Sequence, residues 1–274
     1  MALLAVLARR SCQVSVTAAM LTHTTMQTLG RKKILITGAA GRIGSFVADY
    51  LRERFPDRYT LRLMYHRTVL PAQGDAEVVV CSLEDREAVT DAAKGVDAIV
   101  HMAANPRTRA PWEQLLGANI VGTYNVFEAA RVTGVPKVVF ASTNHVTGWY
   151  EREKVYTTPD LPVRPDSYYG VSKAFGEALG RYYADAFGLS VICLRIGSFV
   201  PKPTSVRALS TWASPRDTAQ LCWRALESPV RFAVVYCISG NARRYWDISS
   251  AQELLGYQPE DDAEAYAAEV EGAH

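Results

Sequence analysis

Tyr169-Gly170-Val171-Ser172-Lys173 sets a phenol and an amine four residues apart, a spacing that puts both on one face of a helix. A phenol has a reference pKa of about 10, so Tyr169 becomes a useful base at neutral pH only where a positive charge stabilises its phenolate. Lys173 on the same face supplies that charge. Such a tyrosine takes the proton of a substrate hydroxyl. Thr143, at the end of Phe140-Ala141-Ser142-Thr143, offers a second hydroxyl to hold the same oxygen in line. Tyr168 has no lysine four residues on and reads as a neighbour of the site rather than its base.

An alcohol that loses a proton this way also needs a hydride acceptor, and the start of the chain offers a place for one. Ile34, Leu35 and Ile36 make the short apolar run of a strand covered on both faces, and Thr37-Gly38-Ala39-Ala40-Gly41-Arg42-Ile43-Gly44 follows it into a helix. Gly38 suits a tight turn, Gly41 a close backbone approach and Gly44 the packing of helix on strand. The amides opening that helix, at Arg42 and Ile43, then face an anion, here a dinucleotide pyrophosphate. An added positive charge on the oxidised nicotinamide would assist Tyr169.

The remaining elements position these groups. A helix over Ser45 to Arg54 leads to a strand from Tyr59 to Tyr65, whose end normally selects the cofactor. An acid there binds a free ribose hydroxyl, whereas an arginine accommodates a 2′-phosphate. Met64-Tyr65-His66-Arg67 contains no acid, which favours NADP over NAD. Arg67, together with Arg42, either meets that phosphate or is a surface charge. Val78 to Val80 is a third strand and Ala98 to Ala104 a fourth, ending in small residues such as Ala103 as though a flat ring lies across it. His101 reads as a packed strand residue. A long amphipathic helix is expected over Trp112 to Thr133, then the strand Lys137 to Ala141, an irregular stretch from Glu151 to Asp166, and a helix from Ser167 to Phe187. The strand Val191 to Ile196 follows, with Ile196 placed on the cofactor, and Gly197 to Thr211 closes the main sheet. The tail carries a helix from Pro215 to Glu227, a strand from Phe232 to Ser239 and a short helix near Ala251 to Leu255. Alternating strands and helices predict an α/β fold with a doubly wound parallel sheet, the cofactor lying across the carboxyl ends of its strands. The division expected is an extension over 1–30, a dinucleotide-binding domain over 31–200 and a small substrate-binding region over 201–274.

Composition narrows the function. The 274 residues carry 30 Lys and Arg against 28 Asp and Glu, so no basic stripe points to nucleic acid, and a small molecule is the expected partner. Cys12, Cys81, Cys193, Cys222 and Cys237 are scattered, with no Cys-x-x-Cys and no nearby histidine pair, so they read as reduced thiols and no metal site is expected. The acid-free, Arg- and Ser-bearing first thirty residues are expected to be a disordered tail or the product of a start placed upstream of Met20 or Met26. The other reading is an organelle transit peptide. Their apolar run, Ala2 to Ala8, is too short to span a bilayer, so the expected location is cytoplasmic, with organelle targeting as the alternative.

The turn Thr37 to Gly44, the hydroxyl residue ending a later strand and Tyr169-x-x-x-Lys173 together resemble the extended branch of the short-chain dehydrogenase/reductase superfamily. From Trp112 onward, Phe140 to His145, Tyr169 to Lys173, Arg195-Ile196-Gly197-Ser198 and Arg207 to Trp212 look like uronate dehydrogenase, which oxidises C1 of a hexuronic acid to a lactone with NAD. That similarity implies that Thr143 takes the place of an active-site serine, that Asn144 and His145 contact sugar hydroxyls, and that Ser198 and Arg207 hold a carboxylate. It also implies that Ser82 and Leu83, where relatives carry Asp-Leu, lie against the adenine, and that Asn119, in Asn-x-x-Gly, stitches its helix to the strand carrying the site. Taken by themselves, Asn144 reads equally as a turn residue and His145 as a loop brace. Asn105 to Glu113 and the tail around Arg244-Tyr245-Trp246 and Leu254 to Tyr257 are similar to the archaeal NAD-linked glucose-6-phosphate dehydrogenase of the same branch. The expectation is thus an NAD(P)-dependent oxidoreductase acting on C1 of an anionic sugar, with a homo-oligomeric assembly. A nucleotide-sugar epimerase or dehydratase and a cofactor-sensing scaffold are the alternatives.

Overall fold

The computed structural model describes residues 30–71 and 74–272, and the expectations made for residues 1–29, including Cys12, lie outside them. The described residues from Lys32 onward form one compact unit. It opens with β1 (Lys32–Thr37), whose three apolar residues are nearly inaccessible. Ile34 and Ile36 point to one face of the sheet and Leu35 to the other, as strand alternation requires. The sheet has seven strands in the order β3-β2-β1-β4-β5-β6-β9, all parallel. These are β2 (Tyr59–Tyr65), β3 (Glu77–Val80), β4 (Ala98–His101), β5 (Lys137–Thr143), β6 (Ser190–Ile196) and β9 (Phe232–Cys237).

One face packs on α1 (Arg42–Arg54) and α8 (Pro215–Glu227), through Val47, Leu51, Leu221 and Ala225. The other packs on α2 (Arg86–Ala93), α4 (Gly122–Thr133) and α6 (Tyr168–Phe187), through Val89, Phe127 and Tyr183. Side chains set several helix starts: Asp85 accepts from the Ala88 amide, Ser167 from Gly170, and Ser214 from Asp217 just before Pro215. The chain reverses direction of winding between β1 and β4, and parallel sheets bind ligands in the crevice at that switch.

Two elements differ from the sequence reading. The helix expected over Trp112 to Thr133 is broken: α3 (Trp112–Leu115) runs into a π-helical turn, Leu116–Val121, before α4. Periodicity over so few residues does not distinguish 3.6 from wider winding. The sheet is also closed by β9 beside β6 rather than by Gly197 to Thr211, because β9 is as apolar as the central strands. Residues 201–274 therefore contribute both a strand and the covering helix α8 to the main layers. What they add beside the site is smaller. β7 (Ser198–Phe199) pairs with β8 (Trp212–Ala213) across α7 (Ala208–Thr211), while Tyr236, Ile238, Trp246 and Ile248 form a separate cluster under them. α9 (Ser249–Leu255) and α10 (Ala267–Gly272) complete the chain.

Candidate active site

A cavity of about 900 Å³ runs across the carboxyl ends of β1 to β6. The glycine turn forms its floor. Gly38 has φ +68°, and a Cβ there would lie 2.7 Å from the Ala103 amide nitrogen, so the turn and the end of β4 meet backbone to backbone. Gly41, Arg42, Ile43 and Gly44 line the cavity at the start of α1, a helix with no capping side chain and no acid in its first turn. Thirteen residues of aligned peptide dipoles thus present uncapped amides to the cavity, the arrangement that receives a phosphate. The cavity's size, shape and glycine floor fit a nicotinamide dinucleotide.

Tyr65, His66, Arg67, Ser82, Leu83 and Glu84 line the end at β2 and β3, and Met102, Ala103 and Ala104 the middle. Neither Arg42 nor Arg67 has an ion-pair partner among the described residues. Asn119 lies away from the cavity wall. Its Oδ1 accepts from the Asn105 amide at 2.8 Å, and its Nδ2 donates to Ser172 Oγ at 3.0 Å. It therefore ties the π-helical turn to the loop after β4 and to α6, rather than to a strand.

At the other end stand Ala141 to His145, Tyr169, Lys173 and Ile196. Gly170 lets them converge: a Cβ there would lie 2.3 Å from the His145 carbonyl oxygen, so α6 seats its first turn directly on the turn that follows β5. Burial pushes the Tyr169 phenol up to about 12, which the nearby Thr143 hydroxyl partly offsets. Lys173 is 2% exposed, with Nζ 4.8 Å from the Phe140 ring centroid and 6.0 Å from that of Tyr169. Burial in these apolar surroundings pulls its amine down to about 7. Amine and ammonium are both accessible near neutrality, so negative charge forming on Tyr169 draws the proton onto Lys173.

Three acids behind this group escaped the sequence reading. Asp166 Oδ1 accepts from His145 Nδ1 at 2.8 Å, and His145 lines the cavity. His145 is thus both braced and exposed to the site. Glu177 Oε1 accepts from Ser142 Oγ at 2.5 Å and both its oxygens bind Arg195, at 2.9 and 2.8 Å, in a fully buried fork. Successive residues of β5 are so divided, Ser142 to this anchor and Thr143 to the site. Glu151 on α5 (Gly148–Arg152) holds Arg207 through two parallel bonds. Asp166, directly before the helix-capping Ser167, was the most visible of the three in the sequence. His101 is fully buried and hydrogen-bonded through Nδ1 to Thr37 Oγ1 at 2.8 Å, and burial holds its pKa down at about 3. It is a neutral link between β1 and β4.

Ser198 and Arg207 sit beside the cavity rather than on its wall. Asn144 connects them to it: with its amide turned so that both atoms find partners, Nδ2 donates to the Ile196 carbonyl at 3.1 Å and Oδ1 accepts from Arg207 Nη2 at 3.3 Å. Arg207 Nη1 donates to Ser198 Oγ at 3.2 Å.

A doubly wound sheet with a glycine turn, an uncapped helix start and a tyrosine and lysine on one helix face defines a dinucleotide-dependent oxidoreductase-type site. The chain belongs to the NAD dependent epimerase/dehydratase family, which it matches over residues 34–203. It is 43% identical to a uronate dehydrogenase of Pseudomonas syringae pv. tomato, over 91% of this chain and 88% of that protein. It is 38% identical to an NAD-dependent glucose-6-phosphate dehydrogenase of Haloferax volcanii, over 87% of this chain and 97% of that one. Among solved structures, a tyrosine-to-alanine variant of the Agrobacterium tumefaciens uronate dehydrogenase complexed with NAD superposes with a TM-score of 0.83. It is 40% identical, covering 89% of this chain and 91% of its own.

Proposed function

We propose that this protein oxidises the C1 hydroxyl of an anionic sugar of the hexuronate type to a lactone, using NAD(P). The observation that carries the reading is the convergence of Thr143, Tyr169 and Lys173 at one end of the cavity, with Asn144 leading from them to Arg207. A bound nicotinamide dinucleotide supplies the acceptor for the hydride that leaves C1. Gly38, Gly41, Arg42, Ile43 and Gly44 would hold its pyrophosphate, Ser82 and Leu83 its adenine, and Ala103, Lys173 and Ile196 the remainder. Thr143 fixes the C1 oxygen beside Tyr169, and the phenolate takes its proton. Lys173, buried on the same helix face, stabilises that phenolate. Asn144 and His145 face the sugar hydroxyls, and Ser198 and Arg207 face its anion.

The lack of an acid after β2, with Arg42 and Arg67 on the wall and without an ion-pair partner among the described residues, supports use of NADP at least as well as NAD. A phosphate at C6 is the second reading, favoured by the likeness to the Haloferax volcanii enzyme, since a guanidinium fork accepts either anion. The test is a panel of hexuronates, hexose 6-phosphates, neutral sugars and nucleotide sugars, with each cofactor, followed by absorbance at 340 nm. Reduction with hexuronates above all others supports the proposal. Reduction with none, or epimerisation of a nucleotide sugar without net reduction, would reject it. No described helix is long and apolar enough to cross a membrane, and no described cluster of His, Cys, Asp and Glu would hold a metal.

A further inference from the structure

The arginine best placed to receive a substrate anion already holds a carboxylate of the protein itself. Arg207 Nε and Nη2 bind Glu151 Oε1 and Oε2, at 2.5 and 2.8 Å. The other Nη2 proton is directed at Asn144 Oδ1, 3.3 Å from the nitrogen. Nη1 gives one proton to Ser198 Oγ, which is itself bonded to Thr211 Oγ1 at 2.8 Å. A guanidinium has five N–H groups, so this arrangement leaves one of them for a ligand. It also cancels the charge that would attract one. Glu151 is fixed from behind, since Tyr245 donates from its hydroxyl to Oε1 at 2.7 Å. Yet the pair is not sealed in the core, as the Arg207 side chain is 46% exposed and that of Glu151 20%. Exchange of one carboxylate for another at the fork therefore needs no unfolding of the surrounding structure.

We propose that Glu151 is a specificity-determining residue, an internal carboxylate that competes with the substrate's anion for the guanidinium fork of Arg207 and so sets how strongly charged sugars are preferred over neutral ones. The proposal rests on the reading of Arg207 as the anion's partner. A carboxylate or phosphate on the substrate gains two parallel charge-assisted bonds only by displacing Glu151, and while Glu151 stays it meets like charge. A neutral sugar makes neither exchange and is indifferent to it. The wild-type protein then favours charged sugars less than a free arginine would.

Replacement of the carboxylate by an amide of the same shape separates competition from bracing. Glu151→Gln keeps an oxygen for Tyr245 but loses the charge and one of the two bonds to Arg207. The expected result is a fall of about tenfold in KM for glucuronate, with KM for glucose little changed, so that the charged-to-neutral ratio of kcat/KM rises by about the same factor. Glu151→Ala, whose thermal midpoint is compared with that of wild type, should raise the ratio too. In an Arg207→Ala background, Glu151→Gln should bring no such rise, because there is no fork to release. Calorimetric titration with glucarate, a non-reacting dicarboxylate, should show the same tightening in Glu151→Gln without reference to turnover. A ratio that stays level or falls in folded Glu151→Gln and Glu151→Ala, while wild type oxidises glucuronate, would overturn the inference and leave the proposed function standing. A rise that persists without Arg207 would overturn it as well. Failure of wild type and both variants to oxidise glucuronate or bind glucarate would reject the underlying reading together with it.

Discussion

Lys173→Met should stabilise the fold while removing the activity. The lysine is 2% exposed and lies above the Phe140 ring, and burial pulls its pKa from 10.5 to about 7. The unfolded chain keeps the higher value. Between the two, the unfolded state binds more protons than the native state, so stability rises with pH across that window and is lowest below it. At about 1.4 kcal/mol per pH unit, a gap of about 3.5 units sets a ceiling of about 5 kcal/mol on the penalty, and about 2 kcal/mol of it is relieved between pH 7 and pH 9. Methionine has a similar unbranched length and no charge, so it fills the space without that penalty. Urea unfolding of wild type and variant at pH 7 and pH 9 measures both quantities, provided the two slopes agree. The expected outcome is a variant more stable at pH 7, by about 2–4 kcal/mol after allowance for imperfect packing, with the advantage shrinking by about 2 kcal/mol at pH 9. Turnover should fall at least about 10²-fold. A variant less stable than wild type at pH 7, or one sharing its pH dependence, would refute the assignment of a desolvated amine at this position.

Tyr169→Phe removes the base without touching the glycine turn, so cofactor affinity, followed by quenching of intrinsic fluorescence, should hold while turnover drops about 10²–10⁴-fold. Gly170→Ala brings a methyl against the His145 carbonyl, where the built Cβ lies at 2.3 Å, and should both lower the thermal midpoint and reduce kcat by displacing Thr143 from Tyr169. An unchanged midpoint and kcat would show that α6 has room to move. Arg67→Ala should weaken NADP binding in calorimetry by about tenfold and leave NAD binding unchanged, whereas equal effects on both would make Arg67 a surface charge.

The layers and the placement of Tyr169 and Lys173 on one helix face were legible because they depend on local pattern. Ile34 to Ile36 and Val138 to Phe140 are apolar on both faces, and Tyr169 and Lys173 are placed by the helix period alone. What could not be read depends on partners far apart in sequence. The Glu177 and Arg195 fork joins a helix to a strand 18 residues on, and nothing in either segment marks those charges as buried. Glu151 lies in a stretch that reads as an irregular surface, and only the fold brings it to Arg207, 56 residues later. The π-helical turn escaped for a different reason. Nothing in Leu116-Gly117-Ala118-Asn119-Ile120-Val121 marks it off from the helical segments on either side, and only in the fold does its Asn119 reach Asn105 and Ser172. Gly170 was visible as a helix residue, but its function as a contact surface required the turn after β5 to be in place.

The central claim is that the hydrogen on C1 of the sugar leaves as hydride while Tyr169 takes the hydroxyl proton. Glucuronate carrying deuterium at C1 tests it directly, with the reduced cofactor and the sugar product weighed by mass spectrometry after one turnover. The account predicts one deuterium in the reduced cofactor, none in the lactone, and a slower single turnover than with the unlabelled sugar. Deuterium retained in the sugar, or a cofactor returned unreduced, would contradict it.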